Sequence, residues 1–459
     1  MSNDAGSGSG TPDEGPENRG DNPFKGTPFE QIFGAFGGGG MPDLGGLDLG
    51  ALMGQMQSLM QPYDGPVNWP LAIDIARRTS AQEPDPTPDS AARNRVADAF
   101  RLADHWLDDT TTLPSGITTT AAWSRADWIE QTTDVWRVLV EPVAQHVVGA
   151  MGSAIPEEAR AMAGPLIGMI GKAGGAMFGQ QVGQALGGLA GEVLTASDIG
   201  LPLGPAGKAA LLPHNIAEFA DGLDVTEDDV LLYLALREAA HQRLFAHVPW
   251  LRDHLISAVE AFGRGVTIDV SGIEESLGQL DPTNPAAFQA ALDGGLFEPK
   301  KTPAQEAALT RLETTLALVE GWVDEVVGQA TAQRMPAAAK LQEAIRRRRA
   351  AGGPAEETFA ALVGLELRPR RLRDASALWG SLRSRQGHEA RDAVWAHPDL
   401  LPTAADLDDP LGFREDVGNP EELSDEAFEQ AVAELLDSEA GDTGEPGPTD
   451  DAPGSDDPR

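Results

Sequence analysis

At 459 residues, with a formal charge of −38 and no cysteine, the chain excludes disulfides, thiolate-ligated zinc and thiol nucleophiles. Its overall field disfavours DNA and anionic membranes as partners. The length suits two or three average domains or one large domain with tails, and 41% hydrophobic residues suffice for a substantial core.

Residues 1–62 are rich in Gly, Pro, Asp, Ser and Met. Such a segment cannot bury enough apolar surface to offset its ordering entropy, so a disordered N-terminal segment is expected. Phe24, Phe29, Ile32, Phe33 and Phe36 form one apolar island within it. "MSNDAGSGSGTPDEGPENRG" lacks the basic-then-apolar pattern of a secretory leader, so a cytoplasmic location is the expectation.

From residue 63 to 411 the signal is almost wholly helical, and all nine tryptophans fall between Trp69 and Trp395. "DSAARNRVADAFRLADHWLDD" and "SRADWIEQTTDVWRVLVEPVAQHVVGAM" repeat apolar residues every three or four positions, with Trp128, Val135 and Leu139 on one stripe. "GPLIGMIGKAGGAMFGQQVGQALGGLAGEVL" places glycines at 164, 168, 171, 175, 179, 183, 187 and 191. Small residues along one face let another helix approach closely. Lys172, Gln180, Gln181, Gln184 and Glu192 interrupt the run, so it reads as a buried helix and not as a membrane span. "GVTIDV" at 265–270 is the best strand candidate. "TPAQEAALTRLETTLALVEGWVDEVVGQAT" and "PRRLRDASALWGSLRSRQG" return to helical spacing.

Residues 412–459 are expected to form an acidic, mostly disordered tail; Asp406–Arg459 holds 19 acidic residues against 2 basic. A short helix opening at Ser424 is plausible within it. The expected fold is mainly α: one large helical domain at 63–411 between two tails.

The central helix contains Arg237-Glu238-Ala239-Ala240-His241. In H-E-x-x-H, two histidines one turn apart share a zinc ion, and the Glu between them serves the metal-bound water as general base. Here Glu238 holds the base position and His241 the second ligand position. Arg237 holds the first, and a guanidinium has no lone pair for zinc. In one large class of zinc peptidases a later helix supplies a Glu ligand, with an Asp one turn on that orients a histidine. "LALVEGWVDEVV" offers Glu320 and Asp324 at that spacing, on a stripe with Leu316, Ala317 and Val323. Inward carboxylates need partners. Arg237 is therefore expected to pair with Glu320 or Asp324, placing positive charge where zinc would sit.

These segments, together with "GPVNWPLAIDIARR", "LVGLELRPRRLRDASALW" and "RDAVWAHPDLLPTAADLDDP", resemble the bacterial zincin-like metallopeptidase family in order along roughly residues 63–411. One branch of that family is associated with coenzyme F420 biosynthesis. The resemblance implies a zincin-like fold, His241 as zinc ligand and Glu238 as base; the sequence departs from the family motif at Arg237.

His247 and His254 are further candidate ligands, but Leu244 replaces the glycine that a third histidine at position 247 requires. His388, Glu389 and His397 read more simply as a turn and a helix end. The "RRRR" run at 346–349, with Arg368, Arg370, Arg371 and Arg373, lacks the interleaved aromatics of a nucleic-acid site. It is expected to pair with the protein's own carboxylates, including those of the tail.

Two functional readings lead, ahead of a third in which the glycine-rich helix serves a membrane-associated scaffold. One is a zinc-dependent hydrolase of peptide bonds with Arg237 in place of one ligand, zinc on His241 and Glu320, Glu238 catalytic, and Asp324 and Arg237 behind them. The other is a non-catalytic pseudoenzyme of the same fold that binds a peptide or protein. Neither needs nucleic acid or stable membrane insertion.

Overall fold

The computed structural model describes residues 63–153, 164–264, 302–350 and 371–414. "GVTIDV", the N-terminal phenylalanine island, the helix expected after Ser424 and the acidic tail lie outside the described residues. Among the described residues there are eleven α-helices and two short strands. In chain order they are α1 (Trp69–Ser80), α2 (Ser90–Leu107), β1 (Thr119–Ala122), α3 (Arg125–Ser153), α4 (Gly164–Glu192), β2 (Lys208–Leu211), α5 (Pro213–Ala220), α6 (Glu227–His247), α7 (Pro249–Arg264), α8 (Pro303–Thr331), α9 (Ala338–Ala350), α10 (Leu372–Ala393) and α11 (Ala404–Asp408).

Local chemistry sets many of the helix starts. Asn68 caps α1 and is followed by Pro70, and Asp89 caps α2. Thr226 caps α6, whose first turn holds Glu227, Asp228 and Asp229 against the positive end of the helix dipole. Thr302 and Gln305 form a reciprocal capping box on α8. Gly387 (φ 83°) breaks α10 where the sequence suggested a turn.

One apolar cluster runs from Val67 to Leu407 and takes in Trp128, Trp136, Trp322 and Trp379. Two helices pass through its middle. All of α6 from Val230 to Leu244 is buried except Leu232, which is partly so, and α8 is buried on every side from Thr315 to Val327. A helix enclosed all round has no solvent face on which to put its charges. Arg237, Glu238, His241, Glu320 and Asp324 therefore have to satisfy one another or their neighbours inside the core.

The glycine stripe is a helix contact. A methyl group built on Gly179, Gly183 or Gly187 would lie 2.6, 2.5 or 2.8 Å from the carbonyl oxygens of Asn68, Ala72 and Ala76, so α4 rests directly on the backbone of α1. No described helix is long and apolar enough to cross a membrane.

The two strands pair in parallel, Thr119 opposite Lys208 through Ala122 opposite Leu211. Thr-Thr-Ala-Ala and Lys-Ala-Ala-Leu are too short to carry a periodic signal, and the sequence suggested no strand there. Their role is positional. Thr195 bridges Leu211, and hydrogen bonds from Ala196 N to Ala210 O and from Leu212 N to Leu194 O tie residues 194–196 to β2. This pairing holds the turn at residues 197–200 against the central helices.

Candidate functional site

Glu320 is the hub. It is 1% exposed, and both carboxylate oxygens are engaged. Oε2 accepts from Arg237 Nη2 at 2.5 Å. Oε1 meets His241 Nε2 at 3.0 Å and Arg349 Nη2 at 2.9 Å. Burial alone would raise its pKa, but Arg349, His241 and Arg237 together outweigh it and hold the carboxyl at about 2. The expected pairing of Arg237 with Glu320 is thus direct, whereas Asp324 lies farther from Arg237, at 3.9 Å.

Asp324 faces the other way. Its Oδ2 accepts from Arg346 at 2.5 Å and from Ser376 Oγ at 2.8 Å. Its partners come from α9 and α10, with Arg237 of α6 at the edge of ion-pair distance.

Glu238 is fully buried but does not join the hub. Its Oε2 accepts from Ser197 N at 3.0 Å, and its Oε1 from Gln242 Nε2 at 2.9 Å and Ser197 Oγ at 3.3 Å. Burial raises its pKa, partly offset by His241 and by these donors. Ser197 reaches Glu238 because the 194–196 segment is paired to β2, a link no local pattern announces.

The third wall is the 197–200 turn. Asp198 Oδ2 accepts from Arg348 Nη1 at 2.9 Å and from Leu194 N at 3.0 Å. Burial would raise its pKa, and Arg348 and Arg349 more than reverse that. Gly200 adopts φ +77°, and a Cβ there would sit 2.9 Å from Glu320 Oε1. The turn therefore closes over the hub only because position 200 has no side chain.

The arginine run belongs to this centre. Arg346, Arg348 and Arg349 reach Asp324, Asp198 and Glu320, while Arg347 pairs along its own helix with Glu343 at 2.8 Å. Arg371 pairs with Asp408 and Arg373 with Glu343. The expectation that this run serves the protein's own carboxylates holds for these residues: Arg346, Arg348 and Arg349 meet acids of the core, whereas Glu343 and Asp408 lie at the surface. Asp198, Ser197 and Gln242 were not singled out from the sequence, and Arg348 and Arg349 entered only as members of the arginine run. Four consecutive arginines look like a solvated helix end, and only the fold shows what lies beneath them.

The other histidines stand apart. His247 is the exposed last residue of α6, with Nε2 3.4 Å from Ser115 O. His254 lies in the second turn of α7, not at its start, and packs edge-on to Trp250. His388 follows the Gly387 break, and His397 caps the short 3₁₀ turn Pro398–Leu400.

This donor set does not fit a tetrahedral zinc ion, which needs three or four N, O or S ligands with free lone pairs. The position one turn before His241 carries a guanidinium, and both Glu320 oxygens are already bonded to cations or imidazole. A metal-bound histidine typically donates its second nitrogen to an orienting acceptor. His241 Nδ1 is buried without a hydrogen-bond partner. Among the described residues no group of three or more His, Asp or Glu is placed to hold a metal.

Comparison with known proteins gives this arrangement its context. No curated protein matches the chain. Among solved structures it is similar to a protein from Chloroflexus aurantiacus described as "a putative hydrolase with a novel fold". The identity is 20%, the TM-score 0.52, and the match covers 75% of this chain and 96% of that one. At that identity the likeness concerns the fold. A family model described as zincin-like metallopeptidase matches residues 67–413, which take in the hub, the glycine helix and the paired strands alike. By that match, across about three quarters of its length, the chain belongs to the zincin-like metallopeptidase family.

Proposed function

We propose that this protein is a metal-free member of its family, in which a buried ion-pair centre stands where the peptidase metal would be, and that it works by binding a peptide or protein. The observation that carries this reading is the saturation of Glu320 by Arg237, Arg349 and His241. A carboxylate with both oxygens committed to fixed cations can take up zinc only by breaking buried ion pairs, and stranding a buried charge typically costs about 3–5 kcal/mol.

Metal content of the purified protein tests it. The parent is expected to hold no stoichiometric zinc. Arg237→His alone restores a second imidazole but leaves Arg349 on Glu320, so it is expected to remain poor in zinc. Arg237→His with Arg349→Ala clears both cations and is expected to bind zinc. Stoichiometric zinc in the parent, lost in His241→Ala, would overturn the proposal.

The second reading is a zinc-dependent hydrolase of peptide bonds. It is favoured by Glu238 and His241, which keep the base and ligand spacing on one buried helix, and by the description of the Chloroflexus protein as a hydrolase. Under it, zinc-dependent peptidase activity appears in the parent and falls in Glu238→Gln.

A further inference from the structure

Helix α8 carries a second buried ion-pair centre. Glu325 lies five residues after Glu320, about 140° further round the helix, and its partners come from α10. Its Oε2 accepts from Arg391 Nη1 at 2.5 Å and its Oε1 from Arg383 Nε at 2.5 Å. Arg391 is fully buried and also donates to Asp392 Oδ1 at 2.8 Å and to Thr110 O at 2.7 Å. Asp392 in turn accepts from Trp322 Nε1, Thr111 Oγ1 and Thr112 N. These bonds join α8, the second half of α10 and residues 110–112 into one frame.

A cavity of about 390 Å³ opens beside that frame, lined by Thr110, Gln329, Gln333, Arg334, Arg383 and His388, together with Asp109. Small-ligand sites typically span about 300–1,000 Å³. Apart from Ala330 and Gly387 its lining is polar or charged. A guanidinium has five N–H donors. Glu325 takes one from Arg383, and among the described residues that side chain makes no other hydrogen bond. It is 32% exposed, so its two Nη groups are open to a ligand while Nε is held from behind. Such an arginine suits the two oxygens of one carboxylate. Arg334, the second cation of the lining, is paired with the exposed Asp109 at 2.7 Å.

We propose that this cavity is a recognition site for the free C-terminal carboxylate of a short peptide. Arg383 takes the carboxylate through its Nη groups, and the side-chain amides of Gln329 and Gln333, which both donate and accept, meet the peptide groups behind it. Volume and charge set this choice. The cavity is too small for a helix, whose single turn is about 5.4 Å long and about 10 Å across, so it admits the extended end of a chain. Arg383 and Arg391 are balanced by Glu325 and Asp392, and Arg334 by Asp109, so donors are to spare but positive charge is not. One negative charge suits that balance, whereas a dianionic phosphate would face Asp109 and Glu325 without a matching surplus. The proposal rests on the peptide-binding reading above and is independent of the metal content of the hub.

Saturation-transfer NMR on the full-length protein tests it, with acetyl-trialanine as the probe beside its C-terminal amide. The free acid is expected to bind at least about tenfold more tightly than the amide. Acetyl-Ala-Glu-Ala amide, whose carboxylate is on a side chain, is expected to bind like the amide. Arg383→Gln should abolish the preference for the acid, and Arg347→Ala, which removes an exposed arginine of α9, should leave it unchanged. No binding of the acid, equal binding of acid and amide, a side-chain carboxylate that serves as well, or a preference that survives in Arg383→Gln overturns the proposal. Displacement of the peptide by an equal concentration of inorganic phosphate does so too. Should Arg383→Gln fail to fold, Arg383→Lys takes its place: it keeps a charge opposite Glu325 but lacks the planar fork, and it too should lose the preference. Equal binding of acid and amide would remove this site and leave the peptide-binding reading standing. Zinc in the parent would remove the metal-free reading and leave the acid–amide difference intact.

Discussion

Glu320 shows how one side chain makes stability depend on acidity. Its ordinary pKa is 4.5, and in the folded chain it is held at about 2. Between those values the unfolded chain takes up a proton that the native chain refuses. The stabilisation is therefore complete above about pH 4.5 and is lost as the pH falls toward 2. By about pH 3 the loss amounts to about 2 kcal/mol. Urea unfolding near pH 5 and near pH 3 measures it; Glu320→Gln should lack that increment and, near neutrality, should be about 3–5 kcal/mol less stable than the parent because Arg237, Arg349 and His241 lose their counter-charge. An unchanged pH slope in the variant would show that other carboxylates set the acid limit. The Arg237–Glu320 half of this centre can be read from the sequence, because both residues share a helical stripe with apolar neighbours and an inward charge demands a partner. The Arg349 half cannot. It depends on where a separate helix lands, and a run of arginines has no periodicity that distinguishes the inward members from the outward one. The closer partners of Asp324, Arg346 and Ser376, were out of reach of the sequence for the same reason, since they come from other helices, whereas its contact with Arg237 was among those expected.

Among the elements, α4 gives the sharpest contrast. Gly183→Ala puts a methyl carbon 2.5 Å from Ala72 O, a backbone atom that cannot swing away, so α1 and α4 must separate; a loss of about 1–3 kcal/mol is expected. Gly188 is exposed and a Cβ there meets nothing within 4 Å, so Gly188→Ala should stabilise by up to about 1 kcal/mol through helix propensity alone. Thermal unfolding of the two variants should move in opposite directions, and two shifts of the same sign would contradict the packing described. The stripe itself was visible as a small-residue repeat, but its partner was not, because any helix with a flat face satisfies the same pattern. Strands β1 and β2 were invisible for a different reason. β1 is Thr-Thr-Ala-Ala, half of it exposed, and β2 is Lys-Ala-Ala-Leu, so neither offers alternation or much bulk, and their pairing depends on α3 and α4, which lie between them in the chain.

At the scale of the whole molecule, charge is segregated. The chain carries −38 overall, yet its interior centre is close to balanced, with Arg237, Arg346, Arg348 and Arg349 against Asp198, Glu320 and Asp324. If those pairs and the apolar cluster hold the fold without a resident metal, EDTA should leave the unfolding temperature unchanged; a drop of several degrees that added zinc reverses would mean that a metal contributes binding energy to the native state. Apolar residues at three- and four-residue spacing made the mainly α architecture readable from sequence. The arrangement about the hub was not, because it joins four segments far apart along the chain. That distance has a consequence for birth on the ribosome. Arg237 and Glu320 are both made before Arg349, and roughly 30 residues separate Glu320 from it; at typical elongation rates of about 5–20 residues per second, Glu320 waits about 1.5 to 6 s for that counter-ion. During that interval Glu320 already has Arg237 as a counter-charge, so α6 and α8 can meet as one ion pair, and α9 then brings the arginines for Asp198 and Asp324 before α10 completes the core.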